Sequence, residues 1–203
     1  MNNSSNVSSD RIRGWKDVPL DKKGVEEANQ TGKKLKNKEI THIFSSDLKR
    51  AKETADIIGG YLKLKPKYLH GLRPWDLGEL TGTSTKTAIP KIKKYVEDNP
   101  GKAVPKGESF ESFRDRALDE LTKLFDDYKD KTIAVVTHHR VERLFNAWLD
   151  EGKPKDYSIN LSTFTQKGEP PASFEKFNYK TNKESSLRTA LKKSIQQESK
   201  NHV

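Results

Sequence analysis

At 203 residues the chain has the length of one domain, and with no cysteine it excludes disulfides, zinc–thiolate centres and cysteine nucleophiles. The start, MNNSSNVSSD, has no apolar core of a signal peptide, and no later run is apolar enough to span a bilayer, so a soluble, cytoplasmic protein is expected. The net charge of +10 favours anionic partners, phosphorylated metabolites or nucleic acid, although a solvated lysine-rich surface is the more common reading of such a charge.

In chain order, Asn2–Asp10 is polar and Ser/Asn-rich and reads as loop or disorder. Asp21 suits a helix N-cap, with Val25, Ala28 and Leu35 on the apolar face. Glu39–Ser45 reads as a strand. Ser46 or Asp47 then caps a helix carrying Leu48, Ala51, Ala55 and Ile58 on one side, ended by Gly59-Gly60. Lys67–Leu69 is a short strand leading into a Gly/Pro-rich loop, Gly71–Gly82, and Ile89–Glu97 a short helix. Phe110, Phe113, Ala117, Leu121, Leu124 and Phe125 mark a longer helix. Thr132–Val136 is continuously apolar and β-branched, the pattern of a strand buried on both faces of a parallel sheet. Val141–Leu149 follows as a helix, and Tyr157–Gln166 with Ala172–Tyr179 reads as a late hairpin at a sheet edge. From Lys180 the tail holds six Lys/Arg against two Glu, with Leu187, Leu191 and Ile195 at helical spacing. The alternation predicts an α/β domain, residues 1–179, with a mainly parallel sheet and helices on both faces, followed by a basic, partly helical tail, 180–203.

Ligands of such sheets bind beyond the carboxyl ends of the strands. Two strand ends are rich in polar chemistry: Ser45-Ser46-Asp47, opening a helix that carries Lys49 and Arg50, and Thr137-His138-His139-Arg140 after the most apolar strand. Parallel strands place both on one rim, where two helix N-termini and an arginine fork suit phosphate. Each residue also has an ordinary reading: Arg50 as an exposed helix arginine, His138 and His42 as structural histidines. Asp76 and Glu79 are loop carboxylates, candidate general acids or turn residues, and His70 adjoins that loop. Adjacent His138 and His139 do not chelate one ion, and no second cluster supports a metal. No phosphate-binding loop of the GxxxxGK[ST] or GxGxxG kind is present.

At these residues the sequence resembles the histidine phosphatase superfamily, also called phosphoglycerate mutase-like. Arg13-Gly14-Trp15, Asp17-Val18-Pro19-Leu20 and Gly24 match its Gly-Trp and Asp-x-Pro-Leu segment. Ser46, Leu48, Arg50, Ala51, Thr54 and Ala55 match the next, Gly107-Glu108-Ser109 a third, and Val135-Val136-Thr137-His138 the strand that ends in a second catalytic histidine. The resemblance implies phosphoryl transfer through a phosphohistidine, without metal or other cofactor, on a small phosphorylated metabolite. Arg50, Arg13 and Gly14 would contact the phosphoryl group, with Asn2 and His139 beside it. His138 would donate a hydrogen bond to the same oxygens, and a carboxylic acid would protonate the leaving oxygen.

Three departures from the family pattern stand out. The Arg-His-Gly motif that carries the nucleophile is absent, and with it the first central strand. Pro74 occupies the position of the family's acid, leaving Asp76 as substitute with Glu79 behind it. The Gly-Gly after the second histidine is replaced by His139-Arg140. Met1-Asn2 fits the end of the missing motif, so an N-terminally shortened member with little or no turnover is expected. The alternatives are a phospho-ligand-binding relative without catalysis and, less favoured, a mutase or a nucleic-acid binder using the tail. No membrane association is expected, and oligomeric state is open.

Overall fold

The computed structural model describes residues 11–165. Three strands, β1 (His42–Ser46), β2 (Lys67–Leu69) and β3 (Ile133–Val136), form an all-parallel sheet in the order β2-β1-β3. Phe44 lies opposite Lys67 on one side and Val135 on the other. Six helices surround it: α1 (Lys22–Leu35), α2 (Lys49–Leu62), α3 (Thr85–Glu97), α4 (Phe110–Asp127), α5 (His139–Asp150) and α6 (Leu161–Thr165). The period of two along the strands sorts their side chains between two apolar layers. Ile43, Ala134 and Val136 meet Leu35 of α1 and Ala55 and Ile58 of α2. Phe44, Ile133 and Val135 join the larger cluster with Ile92, Phe113, Leu118, Leu144 and Trp148 of α3, α4 and α5. Helices thus cover both faces, as the alternation of elements requires.

Asp21 caps α1, its Oδ1 accepting from the Gly24 N–H at 2.7 Å. Ser109 caps α4 in the same way, accepting from the Ser112 N–H at 3.0 Å. Several expectations are corrected. Val25 lies on the exposed side of α1; Ala28, Thr31, Gly32 and Leu35 make the buried face. The strand expected from Glu39 begins at His42, because Glu39 takes a left-handed φ of 51° that breaks the extension. Neither Ser46 nor Asp47 caps α2: Leu48 is its N-cap residue and provides no side-chain bond. That helix also continues through Gly59 and Gly60 to Leu62 and stops at left-handed Lys63. α3 starts earlier than expected, at Thr85, on a Ser84 cap.

Two corrections matter more. β3 is half-buried throughout, not fully buried, because among the described residues it is one of the two outer strands of the sheet. The strand expected over Tyr157–Gln166 is not one: Asn160 Oδ1 accepts from the Thr163 N–H at 3.1 Å and starts the short helix α6, whose Phe164 packs on Phe110. Ala172–Tyr179 and the basic tail lie outside the described residues.

Candidate functional site

The parallel strands put Ser46-Asp47 and Thr137-His138 on one rim of the sheet. The segment Arg11–Leu20 crosses that rim. It is fixed at its start by Ile12, which donates to Thr83 O and accepts from the Gly82 N–H, and by Arg11 on Gly82 O. Trp15 fastens its middle, with the indole N–H donating to Pro74 O at 2.7 Å. Its end is fixed by the Leu20 N–H, which donates to Glu53 of α2 at 2.6 Å.

Arg50 projects from the first turn of α2 into this segment. Its guanidinium donates to Gly14 O at 3.1 Å and Lys16 O at 2.9 Å. These partners are carbonyls, so they orient the fork without neutralising it. Burial and then the charge of Arg13 push its pKa down to about 10, against a weaker opposing pull from Asp17. Gly14 sits at φ 47°, and a Cβ there would overlap Thr81 Oγ1. Only glycine therefore brings this carbonyl to Arg50.

His138 is the N-cap residue of α5. Its Nε2 is sealed from solvent without a hydrogen-bond partner among the described residues. Burial, followed by the charges of Arg50 and His139, holds the imidazole well below its ordinary pKa, and Asp47 opposes them. It is therefore neutral at physiological pH. Thr137 beside it donates to Leu72 O at 2.8 Å and ties the end of β3 to the 70–76 loop.

That loop is organised by residues the sequence reading did not single out as functional. Arg116 of α4 donates to the carbonyls of Gly71 at 2.8 Å, Arg73 at 3.2 Å and Pro74 at 3.3 Å. It also pairs with Glu108, Nη2 to Oε1 at 2.6 Å and Nε to Oε2 at 3.3 Å. Glu108 Oε1 in turn accepts from the Asp76 N–H at 2.9 Å. Arg73 grips Asp47 with two donors, at 2.6 and 2.8 Å, and stacks on Trp15. Asp47 is held below the ordinary carboxylate range chiefly by this bond. His70 stands edge-on to Trp15 at 5.1 Å and is exposed.

Of the residues proposed from sequence, Arg50, Arg13, Gly14 and His138 come together on the rim. His139 is exposed beside them, its charge acting on His138. Asp76 lies on the same loop as Arg73; its Oδ1 accepts from the Gly78 N–H at 3.1 Å and its charge acts on Arg73. Glu79 is placed elsewhere, paired with Lys106 at 2.9 Å with both side chains exposed. Asn2 is outside the described residues. The N-terminus of α2, expected to attract phosphate, already holds an anion: Asp17 Oδ1 accepts from the Lys49 N–H at 2.6 Å. What would have revealed Arg73 and Arg116 is not spacing but the density of carbonyls in a Gly/Pro loop needing a multidentate donor. No described helix is long and apolar enough to cross a membrane.

Comparison with known proteins bears on the family and the fold. The chain is similar to the uncharacterized phosphatase PhoE of Bacillus subtilis (strain 168), 29% identical over 151 residues, covering 74% of this chain and 75% of that protein. It is 34% identical to phosphoglycerate mutase-like protein 4 of Arabidopsis thaliana over 140 residues, 66% of this chain and 61% of that one, so it spans less than two thirds of that relative. Among solved structures, a phosphoglycerate mutase from Bacillus anthracis str. Sterne superposes with a TM-score of 0.62 at 28% identity, covering 71% of this chain and 74% of that one. A mycobacterial glucosyl-3-phosphoglycerate phosphatase in complex with inorganic phosphate superposes at 0.57 and 25% identity, covering 69% and 73%. The model of the histidine phosphatase superfamily (branch 1) matches residues 3–187. With the family model matched over most of its length and the fold in agreement, the chain belongs to the histidine phosphatase superfamily.

Proposed function

We propose that the rim is a phosphoryl-binding site of the phosphomonoesterase type, acting on a small phosphorylated metabolite. The observation that carries this reading is the pairing of a half-buried guanidinium that has only carbonyl partners, Arg50, with a sealed imidazole nitrogen unpartnered among the described residues, His138 Nε2. A half-buried cation beside a buried ring nitrogen left open suits an oxyanion, which satisfies both when the nitrogen carries the imidazole proton. Arg50 and Arg13 hold the phosphoryl oxygens and offset charge that builds on them in transfer. Neutral His138, in the tautomer with its proton on Nε2, would donate to the same oxygens. Asp76 is the carboxyl nearest in the chain to Arg73 that the loop offers to a leaving oxygen.

The attacking imidazole of a phosphohistidine route would come from an Arg-His-Gly segment, which these 203 residues do not contain. Residues 1–203 therefore bind the phosphoryl group and turn it over little. In calorimetric titration the chain binds inorganic phosphate or vanadate at this site, and Arg50→Gln weakens that binding at least tenfold. Unchanged affinity in Arg50→Gln overturns the site. Robust hydrolysis of p-nitrophenyl phosphate by the chain, lost in His138→Ala, overturns the low turnover while leaving the site in place. A mutase reading receives no support from a particular residue of the loop after Gly71.

A further inference from the structure

We propose that Arg140 and Arg143 of α5 form a second oxyanion site, separate from the one around Arg50 and His138, that takes a phosphate or carboxylate group. The two residues are three apart on a helix and therefore neighbours on its surface. Val141, Leu144, Phe145 and Trp148 occupy the core side of α5, and the arginines flank it. Neither guanidinium makes an ion pair or hydrogen bond among the described residues, and Arg143 Nε is sealed from solvent with no partner.

Burial is the main influence on both. It pushes Arg140 down to about 10, with the charge of Arg143 adding to it, and it lowers Arg143 as well, where only the charge of Glu142 opposes. Even so lowered, a guanidinium keeps its proton at neutral pH. The other carboxylate of that helix, Asp150, already accepts from Thr163 Oγ1 at 2.8 Å. Two neighbouring, partly buried cations opposed only by Glu142 among the described residues are costly, and a planar fork presents paired donors that fit two oxygens of one oxyanion. Arg140 is the second residue of α5, so the positive end of the helix adds to the same field.

The site is distinct from the first. The charges that act most on His138 are those of Arg50, His139, Asp47 and Arg116; Arg140 and Arg143 are not among them. It also coincides with the departure seen in the sequence, where His139-Arg140 stands in place of the resembling family's two glycines.

Equilibrium dialysis of the full 203-residue chain against radiolabelled phosphate, and in a second arm against labelled succinate, tests this. Wild type is expected to bind two phosphates, Arg50→Gln one, and the Arg50→Gln/Arg140→Gln/Arg143→Gln variant none. Retention of phosphate or of succinate by Arg50→Gln, lost in the triple variant, supports the site and identifies which oxyanion it takes. If neither anion shows that loss, the proposal fails. A thermal melt in anion-free buffer separates binding from folding: Arg140→Gln/Arg143→Gln should melt at or above wild type, since it removes partly buried charge of one sign. A lower melting temperature there means the cations are already satisfied within the protein, and also overturns the proposal. Failure of the Arg50 site is separately visible, as wild type and Arg50→Gln would then bind the same number of anions.

Discussion

The arginines of the rim differ in what they touch, and that decides their roles. Arg50 meets two carbonyls and keeps its charge available. Arg73 is committed to Asp47, and Arg116 to Glu108 and a set of loop carbonyls. The sequence distinguishes Arg50 because its motif surrounds it; Arg73 and Arg116 are legible only once residues 26 and 45 positions away are brought to them. His138 supplies a pH prediction. Its pKa in the folded chain is depressed, so the unfolded chain binds the extra proton, and stability rises with pH across the interval between the two values. Stability is therefore fully present above the ordinary histidine value of about 6.5 and is lost as pH falls below it, with a slope of at most about 1.4 kcal/mol per pH unit. Urea denaturation between pH 7 and 5 should show this loss, and His138→Gln should flatten it. A second residue-scale outcome concerns Gly14. Gly14→Ala forces the carbonyl away from Arg50, so phosphate affinity should drop several-fold in the calorimeter, beyond what any shift in melting temperature accounts for.

Apart from a single 3-10 turn at His70–Leu72, the 70–76 loop has no helix or strand to hold it, and its backbone groups need partners all the same. Arg116 supplies them from α4, while Glu108 and Asp76 bond to each other's backbones, the Glu108 N–H donating to Asp76 O at 3.1 Å. Gly78, at φ 42°, lets the chain pass against Pro105 O, where a Cβ would overlap. Arg116→Ala leaves Glu108 half-buried without its charge partner and several carbonyls unserved. It should cost about 2–3 kcal/mol in urea denaturation, and Arg116→Lys, lacking the fork, should recover only part. Helices were the more legible elements, because their apolar spacing and a cap such as Asp21 are local signals. The failure at Tyr157–Gln166 has the same origin: β-branched and aromatic composition suggested a strand, but one side-chain cap at Asn160 and the packing of Phe164 on Phe110 decided for helix. The cap of α2 was hidden for another reason. It comes from Asp17, 32 residues away, and no local pattern announces it.

For the molecule as a whole, the α/β class, the parallel sheet and the two-layer core were readable from the alternation of periods, and the rim followed from strands running the same way. Burial of β3 was not. Its run Ile133-Ala134-Val135-Val136 reads as an interior strand, yet it lies outermost in the described sheet, and position in a sheet is a long-range property. The two edges differ. β2 is three residues long and carries a lysine, devices that discourage further pairing, whereas β3 has neither charge nor proline. The difference has a consequence in time. β1 is bonded on both sides, so its amides wait for the sheet to open before they meet solvent. In β3 the alternate amides that face away from β1 have no such wait. Hydrogen exchange followed by NMR should therefore show uniformly slow amides along His42–Ser46 and a fast-slow alternation along Ile133–Val136, and uniform protection of both strands would mean that the outer edge is covered in solution. The strand richest in apolar side chains would then be the one whose backbone keeps the shortest memory of its last contact with water.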